Sequence, residues 1–174
     1  MFFGNSITAG SDFQKEFPNL SIINLGLPGD DLVGMMFRVP MIQEVNPKVI
    51  FIMAGANDLF LISEQLFIER YGNLLKTIKD SIPQANIVVE SILPMNHEKK
   101  KDALSSDVIV SANKSLRILA GEHGCGFINL YDLYSENNEM PSNLTRDGIH
   151  LYPHAYDRWS EAITPYLKKY IKDK

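Results

Sequence analysis

Hydrophobic positions along the chain follow two alternating patterns. Five short runs are apolar with little interruption: Met1 to Phe3, Ser21-Ile22-Ile23-Asn24-Leu25, Val49-Ile50-Phe51-Ile52-Met53, Asn86-Ile87-Val88-Val89-Glu90-Ser91-Ile92 and Gly126-Phe127-Ile128-Asn129-Leu130. Runs that stay apolar on successive positions and favour Val and Ile suit strands of a parallel sheet covered on both faces. Between them, apolar residues recur at helical spacing. Asp30 or Asp31 can cap a helix from Leu32, in which Pro40 forces a kink or a restart. Ser63 can cap the next, where Leu66, Phe67, Tyr71, Leu74, Leu75 and Ile78 form one stripe before Pro83 stops it. Ser105, Ser106 or Asp107 opens a third, with Val108, Ala112, Leu116, Leu119 and Ala120 predicted to face inward until Gly121 and Gly124. The last carries Tyr156, Trp159, Ile163, Tyr166, Leu167 and Tyr170, an aromatic stripe read as core packing.

Alternation of strand and helix implies right-handed crossovers and an open sheet with helices on both faces. The predicted fold class is therefore α/β: a three-layer α/β/α, flavodoxin-like, doubly wound five-stranded parallel sheet in the order 2-1-3-4-5. That order sets the first strand beside the topological switch point, where such sheets gather ligands. No internal repeat, low-complexity segment or linker interrupts the alternation, so residues 1–174 read as one catalytic domain.

Composition narrows the partners. The chain is 45% hydrophobic and 22% charged, as ordinary globular proteins are. Its 17 basic and 21 acidic residues give a net charge of −4, with no basic block to form a nucleic-acid surface. No apolar run approaches the length of a membrane span. A single cysteine, Cys125, leaves no internal disulfide, which suits a reducing compartment, and no basic stretch precedes a long apolar one. The expected location is cytoplasmic. Only Met1, Phe2 and Phe3 precede the Gly4-Asn5-Ser6 turn, against about 5–6 residues in a usual strand. The first strand is accordingly expected to begin upstream of Met1, where a targeting segment would also lie.

Candidate chemistry sits at the predicted carboxyl ends of the strands. The first run ends in Ser6, the second in Asn24-Leu25-Gly26-Leu27-Pro28-Gly29-Asp30, the third in Gly55-Ala56-Asn57-Asp58, and Asp147-Gly148-Ile149-His150 precedes the last helix. Each alone is an ordinary turn or cap. Jointly they supply what acyl transfer on a serine requires. A hydroxyl is a poor nucleophile without an adjacent base, and His150 is the candidate base. Asp147, three residues earlier, can accept from its Nδ1–H and leave Nε2 to take the Ser6 proton. The tetrahedral intermediate needs fixed N–H donors for its oxyanion, which Ser6, Gly29 and the Asn57 amide can provide.

These four blocks resemble those of the SGNH hydrolases, the GDSL-type esterases and lipases. Gly4-Asn5-Ser6-Ile7-Thr8 looks like their nucleophile block, Asn24-x-Gly26-x-x-Gly29-Asp30 like the glycine block, Gly55-x-Asn57-Asp58 like the asparagine block, and Asp147-x-x-His150 like the terminal block. The resemblance runs from the first residues to the last helix. It implies a Ser6–His150–Asp147 triad, an oxyanion hole of Ser6, Gly29 and Asn57, and hydrolysis of a small-molecule ester, often acetyl, with neither cofactor nor metal. The glycine block and Ser91-Ile92-Leu93-Pro94 look most like the platelet-activating-factor acetylhydrolase and carbohydrate O-acetylesterase branches, whose substrates are acetylated lipids and sugars. Asn5 departs from the Asp of many members, and His154 from a common glycine.

Two other classes compete. Asp147, His150 and His154 at i, i+3 and i+7 would put three metal ligands near one face of a continuous helix, although Pro153 favours a helix that starts later. A non-catalytic binding module on the same fold would leave Ser6 unreactive. The polar segment 94–107, with Lys99, Lys100 and Lys101, reads as a solvated loop, with a rim for acidic substrates as the alternative. Met35, Met36, Phe37, Phe60 and Leu61 are candidate pocket walls, and core packing explains them equally well.

Overall fold

A computed structural model describes residues 1–171 of the chain. In chain order its elements are β1 (Phe2–Gly4), α1 (Ser6–Ala9), α2 (Phe13–Glu16), β2 (Asn24–Gly26), α3 (Leu32–Phe37), α4 (Val39–Val45), β3 (Val49–Met53), α5 (Ala56–Leu59), α6 (Glu64–Ser81), β4 (Asn86–Glu90), α7 (Ser106–Glu122), β5 (Gly126–Ile128), α8 (Leu130–Tyr134), a 3-10 turn (Pro153–Ala155) and α9 (Tyr156–Tyr170). The five strands form one parallel sheet in the order β2-β1-β3-β4-β5. The predicted topology and the observed one agree.

Period-two alternation explains why the sheet is covered on both faces. From β1 and β3, Phe3, Ile50 and Ile52 point into one core, where α3, α4, α6 and α7 supply Leu32, Ile42, Phe67, Leu74 and Leu116. Phe2, Val49, Phe51 and Met53 point the other way, against Phe13, Leu130, Tyr134, Trp159 and Ile163 of α2, α8 and α9. Phe13 meets Trp159 edge-on at 5.2 Å and lies 4.1 Å from Phe2, so the aromatic stripe of α9 is core, as its spacing predicts.

Several bounds differ from expectation, each for a local reason. β2 covers 24–26 instead of 21–25, because this edge strand can pair only with the three residues of β1: Phe2 with Asn24, Phe3 with Leu25, Gly4 with Gly26. β4 stops at Glu90, since the backbone of Ile92 bonds the Asn113 side chain on α7, N–H to Oδ1 at 2.8 Å and carbonyl from Nδ2 at 2.9 Å. β5 stops at Ile128, and Leu130 instead opens a short helix whose N-cap is Asn129. The helix from Leu32 breaks at Arg38 and restarts with Pro40 in the first turn of α4, where its missing N–H costs nothing. In α7 the inward residue is Ile109, whereas Val108 is exposed: the stripe runs 109, 112, 113, 116, 119, 120, and its polar member Asn113 hides the phase.

Candidate active site

Ser6 stands at the start of α1, just after β1, an interior strand between β2 and β3. Asn5 caps this helix, its Oδ1 accepting from the Ile7 N–H at 3.0 Å, so an amide performs the capping that an aspartate would. Gly4 has no room for a side chain: a Cβ would lie 2.3 Å from Thr8 Oγ1 and 2.4 Å from the Met53 carbonyl. The tight fit of β1, α1 and β3 thus sets where Ser6 emerges.

From the far end of the chain, His150 reaches Ser6. Its Nε2 lies 2.8 Å from Ser6 Oγ, and its Nδ1 lies 2.7 Å from Asp147 Oδ2. The other Asp147 oxygen accepts the backbone N–H groups of His150 at 2.8 Å and Ile149 at 3.1 Å. Burial works against the charged carboxyl, yet the His150 N–H, the His150 ring and the Ile149 N–H together hold Asp147 down to about 2. The ionised carboxylate keeps the proton on Nδ1, and Nε2 is left to accept from the serine hydroxyl. Gly148 permits this return, with φ +95 and a Cβ position that would fall 2.8 Å from the Asn96 carbonyl.

Residues that sequence reasoning did not assign hold this loop. Thr145 is fully buried; its Oγ1 donates to the His150 carbonyl at 2.9 Å and accepts the Gly148 N–H at 2.9 Å. The Asn96 N–H donates to the Gly148 carbonyl at 2.9 Å, and Asn96 Nδ2 to the Met140 carbonyl at 2.8 Å. Lys99 Nζ donates to the carbonyls of Ser142 and Thr145, each at 2.7 Å. Lys99 is therefore turned onto the backbone instead of lying in a solvated loop, and Lys100 pairs with Asp102. Of the three lysines weighed for the alternative of a substrate rim, only Lys101 stands exposed and without such a tie among the described residues. Thr145 three residues before Gly148 was a readable hydroxyl-turn signal; nothing local marked Asn96 or Lys99.

The oxyanion candidates flank β1 on both sides. Leu27-Pro28-Gly29-Asp30 forms a turn closed by the Asp30 N–H on the Leu27 carbonyl at 3.1 Å, with Gly29 at φ +80. Pro at the second position and a positive-φ glycine at the third are the pattern of a type II turn, whose hydrogen bond leaves the Gly29 N–H outside it. Asn57, beyond β3, donates from Nδ2 to the Asp30 carbonyl at 2.7 Å. This bond fixes which way the amide faces and leaves its second N–H for another acceptor. The structure thus sets Asn57 beside the residue that follows Gly29. The Ser6 N–H belongs to the first turn of α1, whose donors have no intrahelical acceptor.

Other expectations divide. His154 lies in the 3-10 turn and stacks on Tyr152 at 5.8 Å, and Asp147 and His150 precede that turn, so the three do not share a continuous helix. Met35 is wholly buried in the core, whereas Met36 and Phe37 line a pocket with Leu32, Val33, Arg70 and Asn73, and Phe37 and Leu61 are largely exposed. No helix among the described residues is long and apolar enough to cross a membrane.

A serine, histidine and aspartate stand in hydrogen-bonded series at the carboxyl edge of a parallel sheet in a flavodoxin-like α/β protein, the edge at which such folds gather ligands. The sequence model of the GDSL-like lipase/acylhydrolase family matches residues 2–158, and the chain belongs to that family. It is a carboxylic ester hydrolase. Solved structures agree on the fold. A lipase/acylhydrolase from Enterococcus faecalis aligns with a TM-score of 0.83 at 21% identity, over 99% of this chain and 96% of that one. A GDSL-like lipase from Bacteroides thetaiotaomicron aligns at 0.82 and 22%, over 97% and 86%. An acetyl xylan esterase aligns at 0.81 and 17%, over 95% and 98%. No curated protein matches the sequence.

Proposed function

We propose that the protein is a serine esterase that cleaves short-chain, chiefly acetyl, esters through an acyl-enzyme on Ser6. His150 removes the Ser6 proton as the hydroxyl attacks the ester carbonyl. Asp147 holds the ring in the required tautomer and stabilises the imidazolium that forms. The tetrahedral oxyanion takes hydrogen bonds from the Ser6 and Gly29 N–H groups and the Asn57 amide. His150 then returns its proton to the leaving alcohol, and water repeats the cycle to release the acid. The observation that carries this reading is the unbroken series Ser6 Oγ–His150 Nε2 at 2.8 Å and His150 Nδ1–Asp147 Oδ2 at 2.7 Å.

The short acyl group is argued from the residues after the oxyanion turns. Met35 is used in the core, and Phe37 and Leu61 are 80% and 79% exposed, so they build an open surface instead of an enclosed channel. Hydrolysis of p-nitrophenyl esters should fall steeply from acetate to longer acyl chains, and a fluorophosphonate probe should label Ser6 in the folded protein. Unlabelled Ser6 would favour the non-catalytic binding module. Acetylated xylan and sugars, assayed against acetylated lipids, separate the two substrate classes.

A further inference from the structure

One charged side chain in the interior touches two of the three segments that form the proposed oxyanion site, and its partner Asp30 holds the third through its carbonyl. Arg38, at the break between α3 and α4, ion-pairs with Asp30, and the two side chains are only 16% and 5% exposed. Its Nε donates to Asp30 Oδ2 at 3.0 Å, one terminal nitrogen to the Leu25 carbonyl at 2.8 Å, and the other to the Gly4 carbonyl at 3.4 Å. The guanidinium lies 4.7 Å from the centre of the Phe3 ring. The Gly4 carbonyl, two residues before Ser6, also accepts the Leu27 N–H at 2.9 Å. Gly34 leaves room for Asp30, since a Cβ there would stand 2.1 Å from Asp30 Oδ1.

We propose that Arg38 and Asp30 are positioning residues for the oxyanion site, acting through the Gly29 turn and the Asn57 amide. The proposal rests on the acyl-transfer reading above. A buried ion pair is weak as a source of stability, because desolvating two charges offsets most of their attraction. What it offers here is orientation. The planar guanidinium locks Asp30 against the ends of β1 and β2, and the Asp30 carbonyl accepts the Asn57 Nδ2–H at 2.7 Å. If that carbonyl moves, the amide is free to turn and present Oδ1, an acceptor, where the oxyanion needs a donor. The Gly29 N–H belongs to the same turn and shifts with it.

The test is a double-mutant cycle on p-nitrophenyl acetate turnover. Arg38→Met keeps an apolar stem against Phe3 and removes every donor. It should lower kcat by about 10–10²-fold, with KM little changed, the scale expected of a small misplacement in a reacting site. Asn57→Ala should lower kcat by about 10²–10³-fold. The combined variant should lose clearly less than the product of the two single losses, because the part of the Arg38 effect that passes through the Asn57 amide is already gone and only the part through the Gly29 turn is left. Arg38→Lys retains charge against Asp30 without the fork and should fall between wild type and Arg38→Met; it carries the test if Arg38→Met does not fold. Fully additive losses, or wild-type kcat in folded Arg38 variants while Ser6→Ala is inactive, would overturn the proposal alone. Full activity in Ser6→Ala would remove the reading beneath it.

Discussion

The Thr145 hydroxyl donates to the carbonyl of His150 at 2.9 Å, while the same oxygen accepts the N–H of Gly148 at 2.9 Å. A buried side chain thus spans the turn between Asp147 and His150 and fixes the direction in which the imidazole leaves the backbone.

Thr145→Val keeps the volume and removes both bonds. The Gly148 N–H, buried with the loop, loses its acceptor, at a cost of about 1–3 kcal/mol for an unsatisfied group. Urea unfolding should register that loss, and kcat should fall with it as the His150 ring loses its fixed approach to Ser6.

Asp147 carries a pH signature. Its carboxyl is held down to about 2 in the fold, below the ordinary value near 4 of an unfolded chain. The stability that the ionised group contributes is complete above about pH 4 and is lost as the pH falls through 2. Asp147→Asn should flatten this acid limb of the unfolding curve. It should also lower kcat by about 10²–10⁴-fold, since an amide holds the imidazole in the wrong tautomer.

Glu90 gives the opposite sign. It is buried at the end of β4, accepts from Trp159 Nε1 at 2.6 Å, and burial pushes its carboxyl up to about 8 in spite of that bond. A raised carboxyl favours the fold fully below about pH 4, and that margin declines as the pH rises towards 8. Glu90→Gln retains an acceptor for Trp159 and removes the ionisation. Its melting temperature, compared with wild type, should gain more at pH 8 than at pH 5. Equal differences at the two pH values would contradict the burial argument.

The sheet order and the turns that follow β1, β2 and β3 were legible because apolar runs stop at turn residues with distinct chemistry: Gly4-Asn5-Ser6, Pro28-Gly29-Asp30, Gly55-Ala56-Asn57. Strand lengths were not, because β2 pairs only as far as β1 extends, a property of the partner. The phase of α7 was obscured by Asn113, a polar residue that is buried for its bonds to Ile92. At the site, spacing alone brought Asp147 and His150 into view. The groups that hold them were hidden by distance: Asn96 and Lys99 reach carbonyls 43 to 46 residues away. Three successive lysines look like a solvated charge run, yet Lys99 is a tie between loops, and only the fold reveals it. Arg38 likewise looks like an ordinary helix residue until the chain folds its guanidinium under the Gly29 turn.

The most direct test of the acyl-enzyme account is the steady-state hydrolysis of p-nitrophenyl acetate by folded Ser6→Ala protein. Activity should be nearly abolished, while circular dichroism and the unfolding curve match wild type. Full activity in that variant would contradict the mechanism.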